Sequence, residues 1–258
     1  MVAGRYQQDF TNLVLMLMAK AQGGQVDTPV QTRPAAHSTL QPAVSRYSSD
    51  GLSSTTVALP FSHAFDTSPS RPLALDGELQ YLDAEGAVTY GGQLGLSYRQ
   101  AMNERWYLVP GASFGMTGSR DLGTIGSIIS ASLTSAFRLV DAADFTLWMG
   151  NGVNWSSTLE TSYGDYHSDP EIRNWAFTNG LVLSVMPGGL LRNQWVELSF
   201  TDSRYQGSNL YDERYDEIGI ALVHARRSEL AGAVMRLELS YLDATNSRGW
   251  AARFHISF

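Results

Sequence analysis

The chain has 258 residues, a net charge of −7, no cysteine and a single lysine, Lys20. The acidic balance argues against a nucleic-acid partner, because no basic stripe is present to neutralise phosphates. The lack of cysteine excludes disulfide bonds and thiol-bound zinc. Mean hydropathy is −0.16, and no apolar run is long enough for a membrane-spanning helix. These averages do not exclude a transmembrane β-barrel, whose apolar exterior and polar lumen offset each other.

Residues 5 to 21 predict an amphipathic helix, which ends at Gly23 and Gly24. Its apolar positions are Tyr6, Phe10, Leu13, Val14 and Leu17. Two interpretations stay open: a helix packed on a core or a membrane surface, and a plug inside a pore. Residues 25–36 predict a linker, because they include Pro29 and Pro34. The apolar run 13–19 has no basic flank, so we expect an export signal to lie upstream of this sequence.

From residue 37 onward, apolar and polar residues alternate with a period of two, which predicts strands that face two different media. The last strand is the clearest, with Trp250 and Phe254 on one face and Arg253 and His255 on the other. A chain that ends on such a strand leaves a sticky edge unless the first and last strands pair and close a barrel. Twelve strands are predicted, at 37–47, 52–66, 72–83, 87–101, 105–118, 123–139, 143–157, 173–187, 190–204, 214–225, 231–243 and 248–258.

Three features favour a membrane barrel over a soluble one. The connections are short after even-numbered strands, whereas 158–174 and 205–213 are long, as in bacterial outer-membrane barrels with periplasmic termini. Twelve strands also enclose a lumen too wide for side chains to fill. Finally, aromatic residues occur near strand ends on the apolar face, as interfacial girdles require, namely Tyr81, Trp106, Phe137, Trp175 and Trp250. We therefore predict an all-β fold, a transmembrane antiparallel barrel over residues 37–258, surrounded by outer-membrane lipid.

The inner face is predicted to carry two kinds of residue. Small residues of the fourth to seventh strands either admit a second backbone, such as the helix, or let the wall bend. The predicted plug-contacting residues are Gly91, Gly95, Gly111, Ser113 and Gly115. Charged residues in mid-strand either pair to hold the lumen's shape or select solutes. The predicted lumen-lining residues are Asp76, Glu78, Arg99, Arg138, Glu197, Glu217, Arg236, Glu238, Arg253 and His255.

Few residues suggest catalysis or metal binding. Glu238, Ser240 and His255 resemble a hydrolase constellation, but a polar ladder that lines the lumen explains the same residues. The loop 164–171 contains acidic residues and a histidine that calcium or a rim protease would use, but a solvated acidic loop is the favoured interpretation. We therefore predict no enzymatic activity, no metal site and no cofactor.

A helix, a linker and twelve strands ending in Phe258 resemble two known families. One is the translocator domain of autotransporters, in which a helix runs through a twelve-stranded barrel. Segments 116–127 and 164–180 are more similar to the Fap-system exporters of functional-amyloid subunits, which are trimeric twelve-stranded barrels closed by an N-terminal helical plug. This second resemblance implies an unfolded polypeptide as cargo, a homotrimer, and a gating role for residues 1–24. The alternatives are an autotransporter barrel and a passive solute porin.

Overall fold

A computed structural model describes residues 38–49, 52–65, 73–164, 166–168, 171–188, 194–208, 210, 212–225 and 234–258. These residues form sixteen β-strands. No helix within these ranges is long and apolar enough to cross a membrane. The predicted N-terminal helix, with Tyr6, Phe10, Leu13, Val14 and Leu17, lies outside the described residues, as does the linker 25–36.

The strands follow one another along the chain, and the barrel strands pair with antiparallel neighbours. In order they are β1 (Ser38–Leu40), β2 (Ala43–Ser49), β3 (Leu52–Phe65), β4 (Leu73–Ala84), β5 (Ala87–Tyr98), β6 (Gln100–Asn103), β7 (Trp106–Ser119), β8 (Thr124–Asp141), β9 (Phe145–Leu159), β10 (Thr161–Tyr163), β11 (Tyr166–Ser168), β12 (Arg173–Val185), β13 (Gln194–Gly207), β14 (Arg214–Ala225), β15 (Val234–Ala244) and β16 (Arg248–Ser257). The small hairpin β10–β11 forms a separate sheet in the connection between β9 and β12.

Two interruptions reduce the large sheet to twelve barrel strands. β1 and β2 make up the first barrel strand and are separated at Pro42, which has no N–H to donate to a ladder. β5 and β6 make up the fourth and are separated at Arg99, since both pair with β7. The prediction of twelve antiparallel strands is therefore confirmed.

The first and last strands close the barrel. β2 pairs with β16 from Ala43 opposite Arg253 to Ser48 opposite Arg248. Nearer the end of the chain, the backbone N–H groups of Ser38 and Phe258 each donate to the other residue's carbonyl oxygen at 3.0 Å. Closure removes the exposed edge that an apolar C-terminal strand would otherwise present.

We call the end of the barrel with Ser38 and Phe258 the terminal end, and the opposite end the far end. The described terminal-end connections 104–105 and 142–144 are short, as predicted. The far-end connection 160–172, which contains β10 and β11, is longer. The terminal-end segments 66–72, 189–193 and 226–233 lie outside the described residues, so the asymmetry of the whole barrel stays a prediction.

The outward face is apolar all round the barrel. Leu79, Leu94, Phe114, Leu198 and Leu239 are exposed there, on five different strands. The predicted girdle residues share this outward parity, and Trp175 and Trp250 are among the exposed ones. An apolar exterior around a polar interior is the arrangement that a lipid bilayer requires of a barrel.

Candidate functional site: the barrel lumen

The inner face of β13 to β16, which we call the charged wall, holds a network of buried ion pairs. Glu197 is completely buried, with 0% of its surface exposed, and Arg236 is 3% exposed. The Nε of Arg236 donates to Glu197 Oε2 at 2.7 Å, and its Nη1 donates to Glu238 Oε2 at 2.6 Å. Ser184 Oγ also donates to Glu197, at 3.3 Å. Arg236 therefore joins two buried carboxylates and supplies the counter-charge of the fully buried Glu197.

The network continues toward the far end through Arg253. Its Nη2 donates to Glu217 Oε1 at 2.6 Å, and its Nη1 lies 3.4 Å from Glu238 Oε1. Ser240 Oγ donates to the same Glu217 oxygen at 2.6 Å and accepts from Arg253 Nη1 at 3.0 Å. Glu238 thus links the two arginines, so the five charged side chains form one continuous ladder. Buried charges are tolerated when this many hydrogen bonds satisfy them.

Small residues on β14 let the ladder form across that strand. Glu197 and Glu238 lie on β13 and β15, each opposite Ala221 of β14. A Cβ atom on the neighbouring Gly219 would lie 2.8 Å from Glu238 Oε1 and 2.5 Å from Ser199 Oγ. Side chains from strands that are not neighbours therefore meet because the strand between them offers no bulk.

The inner face of β5, β7, β8 and β9, which we call the small-residue wall, has the opposite character. Cross-strand pairing aligns Gly95 with Ser113, Ser113 with Ser130, and Ser130 with Ser156. A Cβ atom on Gly95 would lie 2.8 Å from the carbonyl oxygen of Ala112. All the predicted plug-contacting residues, Gly91, Gly95, Gly111, Ser113 and Gly115, occupy inner-face positions of β5 and β7.

Polar atoms of the small-residue wall point inward without partners. Asn154 is only 2% exposed, yet neither its Nδ2 nor its Oδ1 has a hydrogen-bond partner among the described residues. The same holds for Ser130 Oγ within the described part of the chain. Buried polar groups are normally satisfied, so this wall is suited to contact a further polar group.

A carboxylate on β4 is buried apart from the ladder. Glu78 is 5% exposed, and no hydrogen bond or ion pair joins it to another residue in the described ranges. Asp76 lies on the same face and is only partly buried. These two predicted residues face inward, but they do not belong to the ion-pair network of the charged wall.

Two predicted lumen-lining arginines lie at the terminal end instead of in mid-strand. Arg99 stands between β5 and β6, with its guanidinium 4.9 Å from the centroid of the Tyr107 ring. Arg138 lies where the register of β8 on β9 shifts; it pairs with Asp141 at 2.9 Å and lies 5.7 Å from the Trp148 ring. The prediction of mid-strand positions is wrong for both, because alternation alone does not reveal where a strand is interrupted or bulged.

An aromatic cluster that the sequence did not predict lies inside the far end. Tyr205 and Tyr215 pack edge to face, with ring centroids 5.7 Å apart, against Leu242 and the partly buried Tyr47. Nearby, the buried Asp212 accepts hydrogen bonds from Asn246 N at 2.7 Å and Ser247 Oγ at 2.6 Å. Inward parity of the tyrosines is the available signal, but the girdle prediction covers only aromatic residues of the apolar face.

The hydrolase constellation is not assembled. Ser240 is engaged by Glu217 and Arg253. The buried His255 lies opposite Arg236 on β15, whereas Ser240 lies opposite Ala251. Four residues of a strand separate the two positions, so His255 cannot accept a proton from Ser240 directly. In the part of the chain that the structure describes, no group of three or more metal-ligating side chains occurs.

Comparisons with known proteins identify the fold. No protein-family model matches the chain, and no curated protein matches it. Among solved structures, the translocator domain of the autotransporter NalP from Neisseria meningitidis superposes with a TM-score of 0.72 at 13% identity, covering 100% of this chain and 99% of that one. The β domain of the Bordetella autotransporter BrkA gives 0.65 at 14% identity, with 87% and 99% covered. A KdgM porin in complex with disordered oligogalacturonate gives 0.52 at 10% identity, with 85% and 99% covered.

These identities establish the architecture and leave the transported substance open. The matched structures include translocator domains as well as a porin, and all share a closed antiparallel barrel with this chain. The chain is therefore a twelve-stranded β-barrel of the bacterial outer membrane, with the fold of autotransporter translocator domains and porins.

Proposed function

We propose that this barrel is a pore that exports an unfolded polypeptide, and that the N-terminal helix predicted at residues 5–21 closes it. The burial of the charged wall is the observation that carries this proposal. Glu197 and Arg236 face the interior of a twelve-stranded barrel, yet they are 0% and 3% exposed. Side chains of the wall alone do not fill a lumen of this width, so their burial favours an additional segment inside it.

The small-residue wall supports a helix as that segment. Serine and glycine leave room for a second backbone. The side-chain amide of Asn154, which has no partner among the described residues, offers both a donor and an acceptor. The sequence of the predicted helix has a matching polar face, with Gln7, Gln8, Thr11 and Asn12. Ser38, the first described residue, lies beside Phe258 at the terminal end, so we propose that a helix in the lumen would enter from that side.

Displacement of the helix would open a path for an extended chain. Closure satisfies the backbone hydrogen bonds of every barrel strand, so water is needed only in the lumen. A wall of small polar side chains suits passage of many sequences, since it provides no deep pocket for one residue type. The translocator domains of NalP and BrkA, which have the same fold, support a polypeptide as the substance transported.

The finer features of the proposal come from sequence resemblance. Segments 116–127 and 164–180 resemble Fap-system exporters, which implies functional-amyloid subunits as cargo and a homotrimer as the assembly. We propose no enzymatic activity for the barrel. The driving force would be folding or polymerisation of the chain after it emerges, since export at this membrane has no direct access to ATP.

A passive solute channel is the second candidate. Glu217 and Arg253 are partly exposed, so these charges of the ladder remain in contact with the lumen. Such residues could select ionic solutes. The KdgM porin that contains oligogalacturonate shows that a barrel of similar fold accommodates a charged oligosaccharide.

Current blockade distinguishes the two candidates. A barrel that starts at Gln25 would be inserted in a planar bilayer and exposed to an unfolded polypeptide in two lengths. Export predicts reversible blocks whose duration increases with the length of the polypeptide. A solute channel predicts brief blocks by oligosaccharides and none by the polypeptide, and this outcome would overturn the export proposal.

A further inference from the structure

The outer face of the far end carries paired charges that neither pore function uses. We call this group the headgroup patch; it consists of Asp202, Arg204, Arg214, Asp216, Asp243 and Arg248. These residues lie on the outer face of β13 to β16. Each is an even number of positions along its strand from an exposed outward residue such as Phe200, Ile218 or Tyr241. The patch therefore faces the surroundings of the barrel and not the lumen.

Cross-strand pairing arranges this part of the outer face in rows. The first row is apolar and exposed, with Phe200, Ile218, Tyr241 and Trp250 directly opposite one another on successive strands. The next outward positions toward the far end are Asp202, Asp216, Asp243 and Arg248, again directly opposite one another. One step further, Arg204 lies opposite Arg214. The surface thus changes from apolar to charged within two outward positions.

Aspartates contact all three arginines at Nε, and Nη2 of Arg214 also lies 3.0 Å from Asp216 Oδ2. The Nε atoms of Arg204 and Arg214 lie 3.2 Å and 3.5 Å from the two carboxylate oxygens of Asp202. This shared carboxylate offsets the repulsion between two arginines placed directly opposite each other. Arg248 Nε lies 3.2 Å from Asp243 in the same manner. Each guanidinium is therefore oriented by a protein carboxylate.

The arginines are more exposed than the acids that orient them. The exposed fraction is 60% for the Arg204 side chain and 15% for Asp202. It is 76% for Arg248 and 57% for Asp243. A molecule that approaches the patch from outside therefore meets mainly guanidinium groups, although the acids balance their charge.

We propose that the headgroup patch binds the phosphate of a phosphorylated lipid headgroup in the leaflet at the far end. A guanidinium fork matches phosphate oxygens, and side chains directly opposite on neighbouring strands are about 5 Å apart at Cβ, close enough for Arg204 and Arg214 to share one phosphate. The apolar row below them, with Tyr241 and Trp250, lies where acyl chains begin. This site is independent of what passes through the lumen.

Native mass spectrometry of the intact chain in neutral detergent tests this site. Dioleoyl phosphatidic acid would be the probe, and dioleoylglycerol, which has the same acyl chains without phosphate, would be its control. Phosphatidic acid is expected to bind in preference to dioleoylglycerol. The double variant R204Q/R214Q is expected to lose about tenfold in affinity, the scale of one or two charge-assisted hydrogen bonds.

Arg173→Gln is the matched control, because Arg173 is an exposed outward arginine at the same end of β12 but outside the patch. It should bind phosphatidic acid like the unmodified chain. Equal binding of the two lipids, or an equal loss in the control and the double variant, would overturn the proposal. Displacement of the lipid by inorganic phosphate alone would also overturn it, because the site would then be one for free anions.

Discussion

The charged wall and the small-residue wall are both formed by antiparallel strands, but ion pairs connect the strands of the first, whereas the second leaves space in the lumen. On the charged wall, Arg236 and Arg253 connect carboxylates from three strands, so side chains hold the barrel shape from inside. On the small-residue wall, Gly95 and Ser113 add no such links and leave space. Stabilising ion pairs and room for a transported chain therefore lie on opposite sides of one lumen.

Arg236→Met should have the largest effect on stability. The substitution leaves Glu197 fully buried beside Glu238 with no counter-charge from position 236. We expect a loss of about 3–5 kcal/mol in the free energy of unfolding, as for other broken buried ion pairs. Urea unfolding of the reconstituted barrel, followed by tryptophan fluorescence, measures this loss. An unchanged midpoint would show that the ladder does not hold the wall together.

Gly219→Val should disturb the same wall without removing a charge. Its Cβ would lie 2.8 Å from Glu238 Oε1 and 2.5 Å from Ser199 Oγ, so the ladder must shift. We expect a destabilisation of about 1–3 kcal/mol from overpacking, measured by the same unfolding experiment. Gly188→Ala is the control, because a Cβ atom there meets nothing within 4 Å. Equal losses in the two variants would contradict the requirement for a small residue on β14.

Ser113→Trp should separate the two walls by function. Bulk at this inner position would compete with a helix in the lumen, so we expect the intact chain to conduct, while the free energy of unfolding changes by less than about 1 kcal/mol. Ala112→Trp is the control, because Ala112 is exposed on the outward face of the same strand. Single-channel recording should show an open pore for the inner variant alone. A silent Ser113→Trp variant would argue against a helix on this wall.

Arg248→Gln should have the smallest effect on stability. Its ion pair with Asp243 has both side chains more than half exposed, so we expect a loss below about 1 kcal/mol in the unfolding experiment. The contrast with Arg236→Met isolates the effect of burial on an arginine–carboxylate pair. A loss as large as that of Arg236→Met would remove the distinction between inner and outer pairs.

The sequence was sufficient to predict the strands and their two faces, because alternation is a local pattern. It placed Glu197, Arg236 and Glu238 on the inner face, where the structure has them. It could not predict that Arg236 reaches Glu197 across β14, since this depends on register and on Ala221.

Two inner features were missed for a different reason. The girdle prediction concerns aromatic residues on the apolar face, whereas Trp148 has the parity of the inward Gly150 and packs against Tyr107 inside the barrel. Asp212 accepts hydrogen bonds from Asn246 and Ser247, and these bonds join two far-end connections that are distant in sequence. A periodic pattern within one strand contains no information about such contacts.

The conductance of single barrels in a planar bilayer shows whether a segment of the chain closes the lumen. The intact chain would be compared with a chain that starts at Gln25 and keeps the linker and the barrel. We expect the intact chain to be mostly silent and the shortened chain to give a large, stable conductance. Equal conductance of the two folded proteins would contradict this expectation, because the lumen would then be open whether or not residues 1–24 are present.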